Sequence, residues 1–115
     1  MLESDNFVKY SWNARYGAIK VLCELGQDAL RIHLLPKLKF LSTEMKRELE
    51  DPNTDLHIHT AIEKIALVIK NAFGQPQFWA NANIKVDEFQ FGENYGPIGQ
   101  SIYEATVEQL NSSMA

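Results

Sequence analysis

Asp51-Pro52-Asn53-Thr54-Asp55-Leu56-His57-Ile58-His59-Thr60-Ala61-Ile62-Glu63-Lys64-Ile65-Ala66-Leu67-Val68-Ile69-Lys70-Asn71-Ala72-Phe73-Gly74 reads as a helix together with its punctuation. Ile58, Ile62, Ile65, Ala66, Ile69 and Phe73 recur at helical spacing, so a helix aligns them in one apolar stripe. Asp51 is a residue type that caps helix starts, and Pro52 suits a first helical position because the N–H it lacks would have no partner there. Gly74, with Pro76 two residues on, ends the pattern. The stretch predicts a helix over 52–73 with one face to bury. Such a face must pack on other elements, and the flanking sequence supplies them.

Upstream, Val8, Trp12, Ile19, Leu22 and Cys23 follow helical spacing and predict a helix from about Ser4 to Leu25. Ser4 or Asp5 would cap it, Gly17 weakens its middle and Gly26 suits its end. Leu34, Leu38, Leu41, Met45 and Leu49 continue the helical pattern from about Asp28 to Glu50, interrupted by Pro36. Proline removes a backbone donor and disfavours helical geometry at Leu35. A short helix, a break and a longer helix starting at Pro36 are expected. Downstream, Ile84/Val86 and Phe89/Phe91 each alternate, but out of phase, which suggests a bulge or a hairpin turning near Asp87-Glu88. An irregular loop pinned by aromatics fits the same residues. Ile98, Ile102, Tyr103, Thr106 and Leu110 predict a last helix from Pro97 to about Asn111, with 112–115 as a frayed tail. The fold class expected is mainly α: one domain over 1–115, a four- or five-helix bundle with a short irregular or β-hairpin insert at about residues 76–93 before the last helix.

The chain has 115 residues and is 45% hydrophobic, enough for one domain to fold without a metal or cross-link. Cys23 is the only cysteine, which excludes an intramolecular disulfide and any zinc site of several thiolates. It lies in an apolar run and reads as a core residue. The acidic start, Met1-Leu2-Glu3-Ser4-Asp5, is unlike a secretory signal, and the longest strongly apolar run, Ile65 to Ile69, is far too short to span a bilayer. The expected location is the cytoplasm.

Net charge is −4, unevenly distributed. Arg31, Lys37, Lys39, Lys46 and Arg47 face only Glu44 within 31–47. From Val86 onward the charged residues are Asp87, Glu88, Glu93, Glu104 and Glu108, with no Lys or Arg. The simplest reading is internal complementarity or head-to-tail contact between copies; the ordinary one, which carries more weight, is two solvated faces.

Three constellations could carry chemistry. Asp55, His59 and Glu63 fall four residues apart on one helical stripe, a spacing that could share a divalent metal. His57 would point about 200° from His59 and could not join it. The ordinary reading of these residues is surface pairing near the positive end of a helix dipole. Second, Arg31, Lys37, Lys39, Lys46 and Arg47 could meet a phosphate backbone, but Glu44, Glu48 and Glu50 interleave and the pI is near 5.3, so nucleic acid is not favoured. Third, Phe73, Phe78, Trp79, Phe89, Phe91, Tyr95 and Tyr103 form a dense aromatic set. Aromatics serve both cores and interface hot spots, and these are too many for one face of a short insert.

Catalytic signatures are missing. There is no Gly-x-Ser-x-Gly, and Gly92, Gly96 and Gly99 match neither the P-loop nor the dinucleotide fingerprint. No cofactor is expected. The sequence thus points to a small non-enzymatic binding module, of the adaptor, inhibitor, immunity-type or assembly-factor kind. Its partner would be another protein or a second copy of itself. Phe78, Trp79, Phe89, Phe91 and Tyr95 are the candidate contact residues, beside the acidic C-terminal third. Metal binding through Asp55, His59 and Glu63, and nucleic-acid binding through the 31–47 region, are the alternatives.

Overall fold

The computed structural model describes residues 11–114. It is mainly helical, and no strand occurs among the described residues. Helix α1 is Trp12–Leu25, the single turn α2 is Gln27–Ala29, α3 is Leu38–Glu50, α4 is Leu56–Phe73, α5 is Pro76–Asn81, α6 is Glu88–Tyr95 and α7 is Pro97–Met114.

The central helix α4 keeps the predicted stripe. Ala61, Ile62, Ile65, Ile69 and Phe73 are buried, and α1 and α7 pack against this helix. Its start differs from the expectation. Asp55, not Asp51, is the N-cap, its carboxylate accepting the His57 N–H at 2.6 Å. The Asp51 carboxylate instead accepts the Asn53 N–H at 2.9 Å and closes a turn. The Thr54 hydroxyl donates to the Glu48 carbonyl at 2.6 Å and ties that turn back to α3.

Helix α1 begins at the N-cap Ser11, whose hydroxyl accepts the Ala14 N–H at 3.2 Å. The expected caps Ser4 and Asp5, and Val8, lie outside the described residues. Gly26 ends the helix as expected, with a φ of 105° that side chains resist. Arg15 is buried against the Trp12 ring, its guanidinium carbon 4.2 Å from the ring centroid. Burial pushes the Arg15 pKa down, while the charges of Glu44 and Glu48 on α3 act the other way. Cys23 is half-buried against the core, and desolvation raises its thiol pKa, consistent with a packing role.

At Pro36 the expected break takes a graded form. The chain winds as a π-turn over Leu30–Leu34 and a tighter 3₁₀ turn over Leu35–Lys37 before α3 begins at Leu38 rather than at Pro36. Wider and narrower turns absorb the missing proline donor while Leu30, Leu34 and Leu38 stay in the core.

The insert expectation is corrected. Residues 76–93 contain neither a hairpin nor an irregular loop throughout, but α5 and most of α6. Pro76 starts α5, and the Asp87 carboxylate caps α6 by accepting the Gln90 N–H at 2.9 Å. Between them Asn83 takes a positive φ of 59° and Ile84 donates back to the Trp79 carbonyl at 2.9 Å. Ile84 and Val86 both rest partly buried on the core from this linker, which is why their spacing resembles a strand. Phe89 and Phe91 are on opposite sides of a helix turn rather than one side of a strand.

Helix α7 runs through Ser112 and Ser113 to Met114, beyond the expected end at Asn111; Ala115 lies outside the described residues. Gly96 (φ 72°) and Gly99 allow α7 to fold tightly against α6, since a Cβ on Gly99 would collide with the Phe91 carbonyl. One hydrophobic cluster joins all the longer helices, from Ile19 of α1 to Ile102 of α7.

Candidate functional site

The aromatic set divides sharply. Trp79 is 0% exposed, Phe91 1%, Phe78 2% and Tyr95 6%. Trp79 is the hub: its ring centroid is 4.8 Å from Phe78, 4.6 Å from Phe91 and 5.5 Å from Tyr95. Its indole N–H donates to the Phe73 carbonyl at 2.7 Å, satisfying an orphan acceptor at the C-terminus of α4. Burial raises the Tyr95 phenol pKa. Of the five candidate contact residues, therefore, Phe78, Trp79, Phe91 and Tyr95 are core side chains, each at most 6% exposed. Phe89 is the exception, 70% exposed at the start of α6. It precedes Phe91 by two positions, about 200° around the helix, so burying one turns the other outward.

Exposed acids lie on α6 beside Phe89 and along α7. Glu88 and Glu93 flank Phe89 on α6, and Glu104 and Glu108 extend along α7. The Gln100 amide donates to Glu88 at 2.8 Å and to Glu104 at 3.1 Å, tying the two helices' carboxylates together.

A second feature lies at the other end of α6. A groove of about 360 Å³, mostly apolar, opens between α3, α4 and the start of α7. Met45, Leu49, Ala66, Pro97 and Ile98 line it, with buried Ser42 and exposed Lys46 and Glu50. The Ser42 hydroxyl donates to the Tyr95 carbonyl at 2.7 Å and so fixes α3 to the end of α6. Sequence reading passed over this groove, because Leu49, Ala66 and Ile98 belong to three separate helical patterns and nothing local signals that they converge.

Asp55 is the N-cap of α4, its carboxylate accepting the His57 N–H, and no three His, Cys, Asp or Glu side chains converge as a metal site among the described residues. His57 is exposed, and His33 is half-buried in the π-turn. In the basic region, Arg31 pairs with Asp28 at 3.4 Å and Arg47 with Glu44 at 3.2 Å, both local surface contacts. Lys39 and Lys46 are exposed on α3. None of the helices described is long and apolar enough to cross a membrane.

Fold and surface together define a mainly helical protein with an exposed acidic–aromatic helix and a neighbouring apolar groove. Comparison with protein-family models, curated proteins and solved structures gives no match for the chain.

Proposed function

We propose that this chain is a small non-enzymatic protein-binding module that docks through Phe89 and the acidic side chains of α6 and α7. The observation that carries the reading is the division of the five candidate contact residues: four are packed, and Phe89 is 70% exposed beside Glu88 and Glu93, with Glu88 bridged to Glu104 by Gln100. A rigid aromatic on a short helix loses little entropy when a partner covers it, and aromatics are enriched among residues that dominate interface energies. The carboxylates would speed encounter and select against acidic partners. The partner surface implied is an apolar pocket with a basic rim.

Affinity capture with wild type and Phe89→Ala, at matched thermal stability, tests this. A stoichiometric partner that wild type retains and Phe89→Ala loses is the expected result. Equal retention by both proteins would remove Phe89 from the interface and the reading with it.

A further inference from the structure

Resting on that reading, we infer that the partner is a second copy of this chain, with Phe89 of each copy seated in the apolar groove of the other. Complementary charge and shape lie on the same molecule. Lys39, Ser42 and Lys46 share one face of α3, at i, i+3 and i+7. Lys39 lies against Gly96, a Cβ there coming within 3.5 Å of its Cγ, and Lys46 lines the groove. The approach to the groove is thus flanked by two cations. Phe89 is flanked by two anions, Glu88 and Glu93. Among the described residues Lys39, Lys46 and Glu93 make no ion pair. Glu50, farther along α3, is the one like charge the incoming helix would meet at the groove.

The sizes agree as well. At about 360 Å³ the groove is in the range of cavities that hold small ligands, with room for a phenyl ring and part of the helix that bears it. Leu49, 38% exposed on the groove wall, would be covered on docking. Phe89 and Tyr95 are separated by about 9 Å of helix, and the groove wall at Pro97 begins just past Tyr95. Such close spacing of knob and groove lets both engage at once in a pair. When both knob–groove contacts form between the same two copies, each gives one knob and accepts one and the pair is closed with two-fold symmetry.

Sedimentation equilibrium over roughly 1 µM to 1 mM, the span in which a small interface dissociates, tests the inference. Wild type should pass from monomer to dimer. Phe89→Ala and Leu49→Glu, each checked for unchanged helicity and melting temperature, should weaken the dimer roughly 30-fold or more. Mixing the two variants should restore a heterodimer through the one intact knob and the one intact groove. Lys46→Glu and Glu93→Lys should each weaken association, and the double variant should recover it. A protein that stays monomeric throughout, or a dimer indifferent to Phe89→Ala and Leu49→Glu, overturns the inference. The capture experiment above then decides the broader reading by itself, since loss of a different partner with Phe89→Ala would sustain docking without self-association.

Discussion

Helix α4 and the α5–α6 segment are neighbours in sequence and in the core, yet they are held in place by different kinds of information. Helix α4 has 18 residues, a continuous apolar stripe and a cap at each end. Its conformation follows from its own sequence. Helices α5 and α6 have 6 and 8 residues, too short to persist alone. They are helical because Trp79, Phe91 and Tyr95 interlock above the end of α4. The difference implies that perturbing the aromatic hub should release α5 and α6 while α4 holds.

Trp79→Ala is the strongest way to break the comparison. It removes a fully buried side chain, its ring contacts and the bond to the Phe73 carbonyl. Truncations of this kind cost about 3–5 kcal/mol. Urea unfolding should show that loss, and amide hydrogen exchange should show protection falling in 76–95 well before it falls in 58–70. Uniform loss of protection across both segments would mean that α4 depends on the hub as much as its neighbours do.

The same contrast explains what the sequence disclosed. The stripe Ile58 to Phe73 was legible because its partners, whatever they are, only need to be apolar. Gly26 was legible as a stop because its positive φ is a local reason; Gly74 also marks a stop, but a Cβ there would meet Ala105 of α7, a reason that only packing supplies. The 76–95 region was not legible. Ile84 and Val86 alternate in a linker draped over the core, and Phe89/Phe91 are separated by half a helical turn, so period-two spacing arises with no sheet. The density of aromatics was visible; which one remained outside depended on the rotation of α6, set by the contacts of Phe91 and Tyr95. The groove was illegible for the same reason, since only tertiary packing brings Leu49, Ala66 and Ile98 together.

Ser42→Ala probes the junction between these two kinds of structure more gently. Ser42 is buried, and its hydroxyl supplies a hydrogen bond to the Tyr95 carbonyl at the end of α6. Removing the donor leaves that carbonyl without this bond, which costs about 1–3 kcal/mol. The melting temperature should fall accordingly, with the exchange rate of the Gly96 amide rising more than any amide in the middle of α4. A neutral Ser42→Ala would mean that apolar packing alone sets the α3–α6 junction.

The smallest expected effect tests the start of α4, where local reading was nearly sufficient. Asp51 and Asp55 are both plausible caps by residue type, and only one can begin the helix. Asp55 accepts the His57 N–H and has extended cap geometry, whereas Asp51 serves the turn at Asn53. Asp55→Ala should therefore cost about 1 kcal/mol, the usual worth of a cap, and Asp51→Ala less. The Thr54 hydroxyl bond to Glu48 holds the intervening turn in either case, so the two variants differ chiefly in the first turn of α4. Urea denaturation of both, side by side, ranks them. Equal losses would place the effective helix start nearer Asp51, and would extend the self-sufficient part of the molecule back to Pro52.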